Sequence, residues 1–295
     1  MSVVISGLLL PTGCLYVMNK AQPWSETIAA NPLRVERGAY LVERVAACFN
    51  CHPSANNAKM SRYFGRTREI PGKIYAPNIS ADPETGIGNW TDGQLSRAIR
   101  EGVDNNDEAL FPIMPYGSYS AISDEDVRSI IVYLRSLPAW QTRVPERQIA
   151  FPMSLLINLL PQPVKGPLNA PDRRDLIKDG GYIAAVAGCV TCHTPLNWRG
   201  PDTSHSYAGG WKFVLADEKA EVISPNITAD PQFGIGSWTD GQLKYALQSG
   251  RRPDGKLLRA PMPWQSYAGM TEADMVSLLA FLRTIPPLRP ATGSM

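Results

Sequence analysis

A chain of 295 residues with 29 Lys and Arg against 27 Asp and Glu carries a net charge of +2, too near neutral for a nucleic-acid surface. A hydrophobic fraction of 44% and a charged fraction of 19% exclude a disordered chain, and the length sets an expectation of two domains of about 140 residues. The 26 prolines and 24 glycines suit short helices joined by ordered loops, and the five cysteines give no disulfide framework.

Residues 3–18 are mostly apolar and about long enough for a short membrane span. They lack the basic region of a clear signal peptide, and Pro11 would kink a helix. Gly13-Cys14 is similar to a lipoprotein processing site, although Pro11 and Thr12 fit that poorly. We read residues 1–20 as a membrane anchor or export segment that stays as a tether. A buried core helix, a lipidated Cys14 and a cleaved signal remain the alternatives.

Residues 22–32 read as a polar arm, and a helix is predicted from Leu33 to Ala47, with Gly38 and Tyr40 on its path. It leads into Cys48-Phe-Asn-Cys51-His52, the C-x-x-C-H pattern of covalent haem attachment. Two thiols one helical turn apart can each form a thioether to one edge of a porphyrin. The next residue then carries an imidazole to the iron. Structural zinc usually takes four protein ligands, and each motif offers two thiolates and one histidine. A thioredoxin-type redox pair would need a βαβ context that the sequence lacks.

After His52 the text is loop-like and contains Met60, then Tyr75-Ala-Pro77-Asn78-Ile79. Thr91 opens a helix with a capping box to Gln94; Leu95, Ala98 and Ile99 form its buried stripe and Gly102 its stop. A loop carries Phe111-Pro-Ile-Met114-Pro-Tyr116. Ser123 then opens a helix with Val127, Ile130, Ile131 and Leu134 at helical spacing, ended by Pro138. Residues 139–172, with prolines at 145, 152, 161, 163, 167 and 171, form a linker. Its apolar stretch from Ser154 to Leu160 is too short to span a membrane. It is read as a helical turn or two between domains, with a partner-binding surface as the alternative.

The second half repeats the first. Pro225-Asn226-Ile227, the run Gly234 to Leu243, and Phe281-Leu-Arg-Thr-Ile-Pro286 match their counterparts at an offset of 148. Cys189, Cys192 and His193 match Cys48, Cys51 and His52 at an offset of 141, so the second half holds seven more residues between histidine and Pro-Asn-Ile. Gly180 and Tyr182 echo Gly38 and Tyr40. Of nine methionines, only Met114 and Met262 correspond at the 148 offset, each before a proline. A thioether opposite histidine is common in electron-transfer haems, so Met114 and Met262 are the candidate distal ligands, with core packing as the alternative. His205 reads as an exposed loop histidine. Trp90 and Trp238 are read either as packing near the haems or as core residues, and Asn78 and Asn226 either as propionate partners or as turn residues, shared in both cases by a duplicated fold.

These motifs, with Asp124-Glu-Asp126 and Tyr133-Leu-Arg135, resemble the cytochrome c subunits of bacterial membrane-bound alcohol, aldehyde and sugar dehydrogenases, over roughly residues 35–136 and 177–284. The resemblance implies an all-α fold of two tandem cytochrome c domains, residues 33–138 and 173–288, joined by the proline-rich linker. It implies two covalently bound haem c groups held by Cys48, Cys51, Cys189 and Cys192, with His52, Met114, His193 and Met262 on iron. The family usually carries three such motifs and this chain has two; shorter dihaem relatives serve flavin- or molybdenum-dependent dehydrogenases, and this chain is similar to them. The expected role is electron transfer from a dehydrogenase subunit to a quinone, cytochrome or oxidase of the respiratory chain. The place expected for it is the bacterial periplasm, tethered to the inner membrane. No nucleophile, base or oxyanion arrangement suggests independent catalysis. A stand-alone tethered shuttle and a dihaem peroxidase are the alternatives, and the paired Met-Pro loops argue against the peroxidase.

Overall fold

Asn31 opens the first helix, α1 (Pro32–Tyr40): its side chain accepts from Arg34 N at 2.9 Å, and Pro32 occupies the first turn, where a missing N–H costs nothing. A wider π-type turn, Leu41–Val45, continues it and closes with Ala46 N donating to Leu41 O at 2.7 Å. Ala47 then turns left-handed at φ 51° and ends the element. The computed structural model describes residues 25, 27–53, 63–64, 72–197, 200–214 and 221–290. The expected anchor, Cys14 and Met60 lie outside the described residues.

Two short strands follow, β1 (Tyr63–Phe64) and β2 (Gly72–Tyr75), paired antiparallel with Phe64 opposite Ile74. Helix α2 (Asp92–Glu101) begins at Thr91 with the predicted capping box. Thr91 Oγ1 accepts from Gln94 N at 3.1 Å, and Gln94 Oε1 accepts from Thr91 N at 2.8 Å. Its buried face holds Leu95 but also Arg97 and Arg100, which the apolar pattern did not mark; each is neutralised, by Asp107 and Asp124 respectively. One turn, α3 (Tyr116–Tyr119), precedes α4 (Asp124–Ser136), where Ser123 caps Asp126 N and three acidic residues meet the positive end of the helix dipole. In the proline-rich stretch 139–172, β3 (Gln148–Ile149) pairs on the free edge of β2, and α5 (Met153–Leu156) runs into a single 3-10 turn. Ile157 is buried there, while Phe151, Leu155, Leu156 and Leu159 are exposed.

The second half follows the same plan: α6 (Leu176–Val186), α7 (Cys189–Cys192), the hairpins β4 (Leu196–Asn197) with β5 (Gly200–Pro201) and β6 (Lys212–Val214) with β7 (Glu221–Ile223), then α8 (Asp240–Ser249), α9 (Trp264–Tyr267) and α10 (Glu272–Thr284). Thr239 and Gln242 repeat the capping box. The chain is therefore helix-rich, as expected, with one addition: small ribbons of two to four residues per strand, too short to show alternation in the sequence. Among the described residues no helix is long and apolar enough to cross a membrane.

Two close helix pairs frame the halves, α1 on α4 and α6 on α10. A Cβ at Gly38 would lie 2.0 Å from Ser129 O, and one at Gly180 would lie 1.8 Å from Ser277 O, so only glycine lets these backbones meet. One apolar core then runs through both halves, from Leu41, Val42 and Val45 past Tyr119 and Tyr267 to Ile183, Val186 and Leu278. Across it the halves exchange matching polar contacts. Tyr40 OH donates to Asp274 Oδ2 at 2.5 Å and accepts from Thr271 N at 3.1 Å. Tyr182 OH donates to Asp126 Oδ2 at 2.6 Å and accepts from Ser123 N at 3.1 Å. Each phenol sits on the N-terminal turn of the other half's long helix. Burial and the adjoining carboxylate together raise the pKa of both phenols.

Two substitutions test this frame in denaturant unfolding. Gly180→Ala would add about 1 kcal/mol on a free helix surface; here overpacking reverses the sign and costs about 1–3 kcal/mol. Tyr182→Phe costs about 1–2 kcal/mol, the contribution of a hydrogen bond to a charged group whose acceptor keeps its second partner, Arg37.

Candidate functional site

Each Cys-x-x-Cys-His run sits on a tight turn started by a left-handed residue, Ala47 (φ 51°) in the first half and Gly188 (φ 67°) in the second. His52 N donates to Cys48 O and His193 N to Cys189 O, both at 3.0 Å, so the two thiols and the imidazole stand one turn apart on one short element. Cys48 and Cys189 lie against the large core; Cys51 and Cys192 lie against a smaller cluster of Ile74, Ala109, Phe111, Ile157, Trp211 and Phe213. Burial pushes the Cys48, Cys189 and Cys192 thiols up to about 12; the Cys51 thiol adds to the effect on Cys48, and the Cys51 and Cys189 thiols add to that on Cys192.

Both imidazoles are oriented by a backbone carbonyl. His52 Nδ1 lies 2.7 Å from Pro77 O, and His193 Nδ1 lies 2.8 Å from Pro225 O. A carbonyl only accepts, so Nδ1 carries the proton and Nε2 keeps its lone pair for a metal. Burial lowers the pKa of both rings, which favours the neutral ligand form.

The repeated Pro-Asn-Ile loops thus serve the histidines, and their asparagines do not face outward. Asn78 Nδ2 donates to Trp140 O at 2.8 Å, and its Oδ1 accepts from Ser80 N at 2.9 Å. Asn226 Nδ2 donates to Leu288 O at 2.6 Å, and its Oδ1 accepts from Thr228 N at 2.8 Å and Thr228 Oγ1 at 2.7 Å. Each amide is engaged by its own loop and by a carbonyl beyond the half's long helix, which supports the reading of a shared structural turn over that of a propionate contact. Trp90 and Trp238 are half-buried against the core, and their carbonyls accept from Arg135 and Arg283.

Met114 and Met262 occupy matching places, each half-buried against the large core and each preceding a proline that leads into α3 or α9. Met114 N donates to Phe111 O and Met262 N to Arg259 O, both at 3.1 Å. His205 lies in a 3-10 turn, Thr203–His205, with its Nδ1 2.8 Å from Asp202 Oδ2.

The residues present fit a haem in each half. Soft thioether, neutral imidazole and paired thiols are the donor set of a covalently bound, six-coordinate haem. Sequence reasoning missed a further group: Tyr116 OH, Trp140 Nε1 and Trp211 Nε1 are buried and have no hydrogen-bond partner among the described residues. Donors of this kind suit carboxylates on a bound macrocycle. The signal was weak, since a lone tryptophan in sequence is more often core.

Comparison with known proteins finds relatives named as cytochromes. No family model matches the chain. The fructose dehydrogenase cytochrome subunit of Gluconobacter japonicus is 31% identical over 283 residues, covering 90% of this chain and 56% of the relative. The cytochrome c subunit of a quinone-dependent alcohol dehydrogenase from Gluconacetobacter polyoxogenes is 28% identical, covering 92% of this chain and 60% of the relative. A dihaem cytochrome c-type protein of Cereibacter sphaeroides is 28% identical over 258 residues, covering 82% of both chains. This chain thus resembles cytochrome c subunits of dehydrogenases along most of its length, while spanning somewhat over half of the two subunits themselves. Relatives named cytochrome c imply haem c, and the Cereibacter protein suggests two.

The clamp beneath the second histidine is open to direct test. Asn226→Ala removes the acceptor of the Thr228 amide and leaves Leu288 O only its longer contact from Thr228 Oγ1 at 3.4 Å, lowering stability by about 1–3 kcal/mol. In hydrogen exchange, the Leu288 amide, which donates to Thr228 Oγ1, loses protection before the α10 core does.

Proposed function

We propose that this chain is an electron-transfer subunit carrying two covalently attached haem c groups, working with a dehydrogenase rather than catalysing a reaction itself. The observation that carries this is the duplicated turn of two thiols and an imidazole whose Nδ1 is fixed by a carbonyl. Residues 33–138 and 173–288 each form one haem domain, with 139–172 as linker. Cys48 and Cys51, and Cys189 and Cys192, hold the haems as thioethers. His52 with Met114, and His193 with Met262, bind iron. Bound haem supplies a reversible one-electron change at iron; the protein orients the imidazole, presents the thioether and excludes water.

The named relatives support a dehydrogenase partner, which we read as flavin- or molybdenum-dependent. Electrons leave to a quinone, cytochrome or oxidase of the respiratory chain. The apolar composition of residues 1–20 supports a tether to the inner membrane, and thioether attachment supports the periplasmic side. A second reading, a free-standing dihaem carrier, draws support from the dihaem relative of similar length.

Gentle detergent purification from native membranes decides between them. A stoichiometric dehydrogenase subunit with flavin or molybdenum is expected; a dihaem protein without a partner favours the free carrier. The ligand assignment has its own test. Met114→Ala and Met262→Ala should each remove methionine ligation from one of the two haems and lower its potential, since the thioether favours the reduced iron. Unchanged spectra in both variants would exclude these residues as ligands.

A further inference from the structure

The two motif turns do not face only their own halves. Asn50 and Thr191 hold the same place, directly before the second cysteine of each motif. Asn50 Nδ2 donates to Pro261 O at 2.7 Å, across to the residue before Met262. Thr191 Oγ1 lies 2.9 Å from Ser118 Oγ, across to α3, the turn that follows Met114-Pro115. A second contact supports the latter: a Cβ on Gly188 would come within 3.3 Å of the Pro115 side chain, so the second motif turn abuts the residue next to Met114. Each attachment turn therefore touches the methionine loop of the other half.

We propose that Asn50 and Thr191 are positioning residues for the opposite half's methionine: Thr191, through Ser118, holds the Met114 loop, and Asn50, through Pro261, holds the Met262 loop. This rests on the reading of Met114 and Met262 as axial ligands. Within its own half each methionine backbone is tied by short turns: Met114 to Phe111 and Tyr116, and Met262 to Arg259. The contact from the other half adds a restraint on how far the sulfur can withdraw from iron. Ligation of either haem then depends on docking of the halves, and each motif turn serves two haems, one by covalent attachment and the other by bracing its sixth ligand.

The test uses the full-length holoprotein. In the reduced protein a ligated methionine gives a methyl proton resonance shifted upfield by the haem ring, and Met114→Ala and Met262→Ala assign the two signals. Thr191→Val, which keeps the shape and removes the hydroxyl, should broaden or shift the Met114 signal and leave that of Met262 in place, although Thr191 lies in the second half's own motif. Added imidazole should then displace Met114 about fivefold to tenfold more readily, the fold-change of one lost hydrogen bond. Thr191→Ser, which keeps the hydroxyl, should restore both readouts, and Ser118→Ala should reproduce the defect from the other side. Asn50→Ala should act on Met262 alone. Effects confined to the haem of the mutated motif, or no change in either methionine signal, overturn the proposal while leaving the ligands intact. Wild-type protein without upfield methionine signals would overturn the ligand assignment and this inference together.

Discussion

The hydrogen bond from each motif histidine to a proline carbonyl is the contact on which the rest of the structure converges. Its net contribution is about 1 kcal/mol, yet it decides which ring nitrogen keeps its lone pair free for a metal. A carbonyl can do this only if its own position is fixed, and the fold supplies that in steps. Pro77 is held by Asn78, whose amide spans to Trp140 O beyond α4; Pro225 is held by Asn226, which spans to Leu288 O beyond α10. Those segments follow from helices locked against α1 and α6 through Gly38 and Gly180. A methyl group at either glycine would therefore reach the histidine by way of the long helix and the asparagine.

Duplication alone would give two such units side by side; the crossed tyrosines make them one body. Tyr40 and Tyr182 lie on the helices that lead into the motif turns, and each reaches the cap of the other half's long helix. Bound to a carboxylate within a buried interface, each phenol is costly to expose alone. The interface thereby fixes the direction in which each motif turn enters the molecule.

Much of this was legible in the sequence, because the signals were local and doubled. Caps at Thr91, Ser123 and Thr239, the buried stripe of Val127, Ile130, Ile131 and Leu134, and the motif turns lie within a helical turn or two of the residues that announce them. What was missed is non-local or backbone-borne. The acceptor for His52 is a main-chain carbonyl 25 residues away, which no side-chain pattern encodes. Asn78 looked available because its partner, Trp140 O, is likewise backbone. The tyrosine contacts join residues 234 and 56 positions apart, and the repeat revealed the tyrosines without revealing what they touch. Buried Arg97 and Arg100 broke the apolar stripe because their charges are answered by carboxylates distant in sequence, Asp107 in a turn and Asp124 at the start of α4.

The proline-rich connection takes part in the site as well as joining the halves. Its strand β3 extends the ribbon of the first half, and Ile157 is buried in the cluster that receives Cys51 and Cys192. That cluster draws Ile74, Ala109 and Phe111 from the first half and Trp211 and Phe213 from the second. The second cysteines of both motifs thus meet one apolar wall, with the connection forming part of it. Apolar surroundings lower the local dielectric, which strengthens electrostatic interactions between charges held there. A connection that merely spanned the gap would leave this side of both cysteines to water. Ile157 is buried while its neighbours Leu156 and Leu159 face outward, so this stretch turns one apolar side chain to the cluster and the others away from it.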